Sequence, residues 1–566
     1  MRYWPQASLG SMSNMKKLWK DPALLAAIAV ILAALLLFMV YPLFSLFKES
    51  LVVDGRLTLS VYLRALSSSS FLPALKNSLV LAVVVGLLSN LIGFIFAYTN
   101  VYYKTRFRKL FNFVSILPII SPPFVLSLSL IMLLGQRGLI TYKLFGIRNA
   151  NVYGFKGLVL VQVMTFFPVS YLMLKGLLQN IDVSLEEAAK NMGASRWKVF
   201  STVTLPLMLP GIANGFLITF IEAIADFSNP MVIGGDYTTL ATQIYLQAIG
   251  NYDMAVGSAT AVTLMLISVS LFLVEKYILE RKSYVTVSGK SARERQPISS
   301  LRAVLPAEIF CAAITVVVLG MYLFIPIGAC FKLWGFDYSL TLKNFKYVLN
   351  LGLDPFANSL KFAAIAAPVT GMLAMVIAFL LIRKRFVGRK FMEFSSLLSM
   401  AVPGTVTGIG FVLAFNTKPF LFTGTSFILI CVFVIRSLPV GVRSGVAALG
   451  QIDKSIEEAA SDLGADSRKV FSTVTLPLIK PALLSGLTYS FVRSMTATSS
   501  VMFLKTAKHQ LITPQIMNQV EGGHFGAAAA YSTILVILVC TALFSMEAVV
   551  KKMGGGKTML DKGVSE

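Results

Sequence analysis

The sequence predicts an all-α polytopic membrane protein of about 12 transmembrane helices, arranged as two parallel six-helix repeats. Three observations predict it. Of 566 residues, 56% are hydrophobic and only 13% charged, which suits membrane spans better than a soluble core. Apolar runs long enough to cross a bilayer recur along the whole chain. One polar segment between two such runs occurs twice, once in each half.

The first apolar run, about 23–47, follows a basic tail with Lys16, Lys17 and Lys20. It is longer than the apolar region of a signal peptide and reads as an uncleaved first span. Further runs fall at about 76–102, 110–135, 155–178, 207–228 and 256–279. The second half gives about 303–331, 359–382, 392–416, 425–447, 479–504 and 526–550. With the N-terminus inside, the basic loops Lys104–Lys109 and Arg383–Lys390 fall on the cytoplasmic side. Both copies of the repeated segment, the central linker and Lys551–Lys552 fall there too, while the outside loop 229–254 holds no Lys or Arg. The formal net charge of +24 is therefore positive-inside bias, and no nucleic-acid partner is expected. The Ser-rich basic stretch Arg281–Arg302 separates the halves. Domain boundaries follow at 1–283, a linker 284–302, and 303–566.

Repeat signals run beyond the polar segment. Asn77-Ser78-Leu79 opens the second span and Asn358-Ser359-Leu360 the eighth. Phe167-Pro168 matches Leu438-Pro439. Pro118, Pro122 and Pro123 interrupt the third span, and Pro403, Gly404 and Gly408 the ninth. Two readings stand side by side: a broken helix lining a water-filled path, or close helix packing through a G-x-x-x-G spacing.

Charges at membrane depth are costly and usually face a cavity or a partner. Glu222 and Asp226 are four apart in the fifth span, hence on one helix face. Arg436 and Arg493 are deep in spans ten and eleven, and Arg493 is the repeat equivalent of Glu222. Near a two-fold axis equivalent residues approach each other, so Glu222 and Arg493 are expected to meet, as a gate or polar lining or as a static ion pair. Lys175 and Arg443, near cytoplasmic ends, are expected to snorkel. Four cysteines sit in apolar stretches without metal spacing, and there are two histidines, so no metal site or cofactor is expected.

The repeated segment spans 182–207 and 453–478. Over Glu186–Gly215 and Glu457–Gly486 about 18 of 30 positions are identical. Ser184 with Glu187, and Ser455 with Glu458, fit a capping box, so a helix is expected to start at each serine. Gly193 and Gly464 stand about two turns later, where a left-handed residue ends a helix. A short basic helix follows, and Pro206 or Pro477 opens the next apolar stretch. The result is an elbow: helix, glycine corner, helix, span.

The run Glu187-Ala188-Ala189 with Gly193 and Leu205-Pro206, and its copy Glu458-Ala459-Ala460 with Gly464 and Leu476-Pro477, resemble the EAA motif of ABC-importer permeases. The resemblance implies the type I ABC-importer permease fold. It implies that Glu186, Glu187, Ala188, Ala189 and Gly193, with Glu457, Glu458, Ala459, Ala460 and Gly464, form coupling helices for a cytoplasmic ABC ATPase dimer. A periplasmic or lipid-anchored binding protein would deliver substrate from outside, and the home membrane would be the bacterial inner membrane. The segment Asp226–Tyr245 looks like its counterpart in ferric-iron permeases, where two six-span domains are often fused, so ferric iron is the leading substrate. Phosphonates, sugar phosphates, thiamine, polyamines and sulfate are carried by relatives of the same architecture. Glu222, Asp226, Arg436 and Arg493 are the candidate path residues.

No Walker A motif is found: Gly289-Lys290-Ser291 and Gly556-Lys557-Thr558 lack the glycine five residues before the Gly-Lys pair. The chain is thus expected to be no enzyme and to draw ATP hydrolysis from a partner. An ion-gradient transporter would also fit twelve spans, but gives no account of two glycine-cornered elbows.

Overall fold

A computed structural model describes residues 22–279 and 296–552. The basic N-terminal tail, most of the linker, and the segments around Gly289 and Gly556 lie outside the described residues. The chain is helical almost throughout. In the first half the elements are α1 (Pro22–Leu51), the hairpin β1 (Val52–Val53) and β2 (Arg56–Leu57), α2 (Ser60–Ser67), α3 (Phe71–Tyr102), α4 (Arg108–Ile120) and α5 (Phe124–Leu134). They continue with α6 (Phe155–Gln179), α7 (Val183–Asn191), α8 (Arg196–Ala225), α9 (Ser228–Ile233), α10 (Leu240–Tyr245) and α11 (Met254–Tyr277). The second half repeats the plan: α12 (Leu301–Ala329), the hairpin β3 (Phe331–Leu333) and β4 (Asp337–Leu340), α13 (Lys343–Leu351), α14 (Leu353–Arg383), α15 (Arg389–Leu398) and α16 (Gly404–Phe415). Then come α17 (Ser426–Leu449), α18 (Ser455–Asp462), α19 (Ser467–Leu478), α20 (Lys480–Met495), α21 (Ile512–Glu521) and α22 (Phe525–Lys552).

Each half is built on a triangle of long helices: α3, α6 and α8, and α14, α17 and α20. Lipid offers no hydrophobic drive for helices to meet, so close approach has to supply the packing. It does so at small residues. A Cβ on Gly93 would lie 2.7 Å from that of Ser170, and one on Gly441 would lie 2.7 Å from that of Ala374. The first helix of each half crosses to the other half. Tyr41 of α1 rests against Phe415 and Phe420, and the ring of Phe38 against Phe415. In return α12 lies on α5, where Ser129 Oγ donates to the Met321 carbonyl at 2.7 Å. The two halves are thus clasped rather than merely abutted.

Twelve spans are expected; among the described residues ten helices are long and apolar enough to cross, and the bent pair α19 and α20 makes an eleventh. The pair turns by 79° at Ile479. The ninth run, expected over 392–416, is instead two short pieces. Pro403 and Gly404 stop the chain from continuing as one helix, and the 12 residues of α16 cover about 18 Å, too little for a bilayer core of about 30 Å. The third run is likewise split at Ser121–Pro123, into α4 and α5.

Irregular backbone near membrane depth must find partners. Both halves solve this with the same two residues. Asn77 Nδ2 donates to the Thr238 carbonyl at 3.1 Å, and Ser78 Oγ accepts from the Leu240 N–H at 2.7 Å. Asn358 Nδ2 donates to the Gln510 carbonyl at 3.1 Å, and Ser359 Oγ accepts from the Ile512 N–H at 3.0 Å. These pins hold the segments that fold back after α8 and α20. Ser359→Ala orphans a buried N–H and is expected to cost about 1–3 kcal/mol. Thermal unfolding in detergent should show Ser359→Ala and Ser78→Ala destabilising alike, while Ser359→Thr, which keeps the hydroxyl acceptor, recovers most of the loss.

Candidate functional site: two elbows and a cavity between the halves

The elbows start differently from the expected capping box. Asp182, not Ser184, caps α7: its carboxylate accepts from the Ser184 N–H at 2.9 Å, and Ser184 is already inside the helix. In the second elbow α18 does start at Ser455, as expected, after Lys454, and Asp453 accepts from the Ser455 N–H at 3.0 Å. A carboxylate is the stronger acceptor at a helix N-terminus, where the dipole adds to the bond. The backbone and side-chain hydrogen bonds of Ser184 hold the Asp182 carboxyl below its usual range, and those of Ser455 do so for Asp453. Gly193 and Gly464 both adopt φ of +86°, the left-handed corner expected of them. The second arms are capped by Ser195 Oγ and by Asp466, whose Oδ1 accepts from Lys469 N–H at 2.7 Å.

Each second arm then passes through a π-turn, Phe200–Thr204 and Phe471–Thr475, with the same sequence FSTVT. The wider turn aims its last threonine inward. Thr204 Oγ1 donates to Glu186 Oε1 at 2.9 Å, and Thr475 Oγ1 donates to Glu457 Oε1 at 3.0 Å. The C-terminal end of the second long helix supplies another partner in each half. Tyr102 OH donates to Glu186, and Arg383 Nε lies 2.7 Å from Glu457 Oε2. Glu186 and Glu457, expected on the coupling surface, are only 3% and 7% exposed. The structure places them as latches from the elbow to its own half. Ala189 is also buried, whereas Ala188, Gly193, Glu458, Ala459 and Gly464 are exposed and Glu187 and Ala460 partly so.

Sequence reasoning missed the apolar knobs of the elbows. Met192 is 82% exposed and its equivalent Leu463 is 90% exposed, each just before the glycine corner. Leu185 and Ile456 form a second exposed pair, and Trp197 stands out on the first elbow alone. The signal was available: apolar residues recur at equivalent places on an otherwise polar segment.

Between the halves lies a cavity of about 110 Å³. Glu222, Arg436 and Arg493 all line it, with Ser437, Thr496 and Thr498. With Asp226 also in its wall, the structure brings all four candidate path residues to one place, but Glu222 and Arg493 not as the expected pair. Among the described residues no ion pair within 4.0 Å joins Glu222 to Arg493. Arg436 is turned to the break in the ninth run: its Nη1 donates to the carbonyls of Val402 at 2.6 Å and Ser399 at 3.3 Å. These carbonyls follow the end of α15 and lack a continuing helix to pair with, which a guanidinium fork supplies.

Asp226 touches the cavity but is not on the helix face shared with Glu222, because α8 ends at Ala225. Its oxygens are spent on structure. Oδ2 accepts from Asn229 Nδ2 at 2.7 Å and Gln162 Nε2 at 2.9 Å, and Oδ1 from the Ser228 N–H at 2.9 Å. Lys175, expected to snorkel, is instead only 4% exposed, with Nζ 3.5 Å from Asn112 Oδ1 and near the Tyr171 ring. Among the described residues no group of three His, Cys, Asp or Glu is placed to hold a metal ion.

Residues 89–284 and again 369–555 match the family described as binding-protein-dependent transport system inner membrane component. The chain is 38% identical over 556 residues to the ferric transport system permease protein FbpB of Actinobacillus pleuropneumoniae, covering 95% of this chain and 80% of that protein. It is 38% identical over 514 residues to the putative ferric transport system permease protein FbpB 1 of Haemophilus influenzae, covering 88% and 80%. One third of the chain is 33% identical to the molybdenum transport system permease protein ModB of Escherichia coli K12, covering 82% of it.

Proposed function

The chain belongs to the family of inner-membrane components of binding-protein-dependent transport systems, and from this premise we propose that it is the fused permease of an importer for ferric iron. The observation that carries the family reading to a mechanism is the pair of matching elbows, each cornered at φ +86° and each latched to its own half. The exposed knobs Met192 and Leu463 would seat in a separate cytoplasmic ABC ATPase dimer, one elbow per subunit. Closure of that dimer on ATP pushes the two elbows together, and the latches pass the motion to α3 and α14. The halves then rock about the cavity that holds Glu222 and Arg493. A binding protein on the outer face hands over the cargo. The chain itself does no hydrolysis. N- and C-termini face the cytoplasm, a reading supported by the basic loops Lys104–Lys109 and Arg383–Lys390.

Ferric iron is supported by two relatives of that description aligned over most of the chain. Glu222 offers the cavity a hard oxygen suited to Fe(III) in passing. In proteoliposomes holding the permease, its ATPase and ATP, with loaded binding protein outside, labelled Fe(III) should enter only with ATP. Glu222→Gln should lower that uptake by roughly fivefold, about 1 kcal/mol of barrier, with the complex still assembled. Uptake driven by an ion gradient without ATP would instead make this a secondary transporter.

A further inference from the structure

The cavity holds two guanidinium groups, which a path for a cation alone does not call for. Arg436 and Arg493 both line it, against Glu222 and an Asp226 whose oxygens are already taken. Arg436 uses one nitrogen on the carbonyls of the broken helix, which leaves most of its fork. Arg493 has no hydrogen bond or ion pair recorded among the described residues, although it lies at membrane depth. Ser437 also lines the cavity, is fully buried, and its Oγ has no partner. A guanidinium and a hydroxyl left open toward one space form a donor set for an oxygen anion.

A bare trivalent cation is a poor fit. Each guanidinium repels it three times as strongly as a monovalent ion at the same distance, in a site where screening is weak. We infer that the cargo crosses as a ferric ion paired with an oxyanion, and that Arg493, Arg436 and Ser437 take the oxyanion while Glu222 faces the iron. The anion class is one with planar or tetrahedral oxygens, a phosphate or a carboxylate, which a guanidinium grips through two parallel bonds. This inference rests on the ferric-importer reading and adds the second half of the cargo. It also accounts for the separation of Glu222 from Arg493: the space between them is where the ion and its anion sit.

The test uses the whole complex in proteoliposomes, with ATP inside and binding protein outside carrying labelled Fe(III) and either labelled phosphate or labelled citrate. One oxyanion is expected to enter with each iron, and the arm in which it does names the source. Arg493→Ala is expected to lower uptake of both labels together by about tenfold or more. Arg493→Lys, which keeps the charge but loses the fork, should fall between. Copurification of the ATPase shows that each variant is assembled. Iron entering with neither anion overturns the inference and leaves the ferric reading standing, as does wild-type iron uptake by assembled Arg493→Ala. An anion entering without iron overturns the ferric reading and the paired cargo together. If neither label enters while ATP hydrolysis responds to the binding protein, both readings fall.

Discussion

Arg383→Ala is expected to free the second elbow while leaving the first in place. Glu457 is nearly buried, and its partners are Arg383 at 2.7 Å and Thr475 Oγ1 at 3.0 Å. Arg383 also donates from Nη2 to the Ile452 carbonyl at 2.9 Å, so its loss strips the elbow of two ties. Removing one member of a buried ion pair typically costs about 3–5 kcal/mol, because the remaining charge is left without a counter-charge. The carboxylate escapes that cost by swinging out toward water, and α18 must tilt with it. In the first half the Tyr102 hydroxyl, a neutral donor, also bonds Glu186. Tyr102→Phe should cost less, about 1.5–3 kcal/mol for a hydrogen bond to a charged acceptor. The predicted readout is a permease that still binds its ATPase but hydrolyses ATP with little transport, more severely for Arg383→Ala than for Tyr102→Phe. The double change Arg383→Met with Glu457→Leu removes both charges, so it should recover stability without recovering coupling. Transport per ATP at the wild-type value in Arg383→Ala would show that the latch carries no motion.

The elbows were legible in the sequence because they are local. A glycine corner and a proline start act within a few residues, and duplication repeats each of them. The same holds for Asn77-Ser78 and Asn358-Ser359, visible as a repeat although their hydrogen bonds reach Thr238, Leu240, Gln510 and Ile512. What was not legible depends on direction in space. Ser184 and Asp182 are both good caps, and only the backbone shows that the aspartate takes the Ser184 N–H. Glu186 and Glu187 are neighbours on a polar helix. The π-turn that aims Thr204 at the first and not the second has no distinct composition. Glu222 and Arg493 share the cavity as the two-fold argument requires, yet symmetry fixes neighbourhood and not contact. Arg436 is read as a path charge in sequence because the gap it fills, beyond α15, exists only once the ninth run is seen to break.

Gly193→Val and Gly464→Val together are expected to abolish capture of the ATPase while leaving the membrane core intact. Both glycines sit at φ +86°, where a residue with a branched Cβ is strained by roughly 1–3 kcal/mol. Nothing lies within 4 Å of where either Cβ would be, so the whole effect comes from the backbone and none from a clash. The relaxed corner turns α7 and α18 relative to the arms that follow, carrying Met192 and Leu463 off their positions beside the corner. The Thr204–Glu186 and Thr475–Glu457 bonds span the corner and are expected to loosen with it, whereas the packing of the spanning helices lies away from it. Thermal unfolding of the isolated permease should therefore move little, while a stoichiometric ATPase is lost on purification. Asparagine tolerates the left-handed region far better than valine, so Gly193→Asn with Gly464→Asn should restore most of the capture. Valine variants that still bring down a full complement of ATPase would remove the elbows from the coupling mechanism.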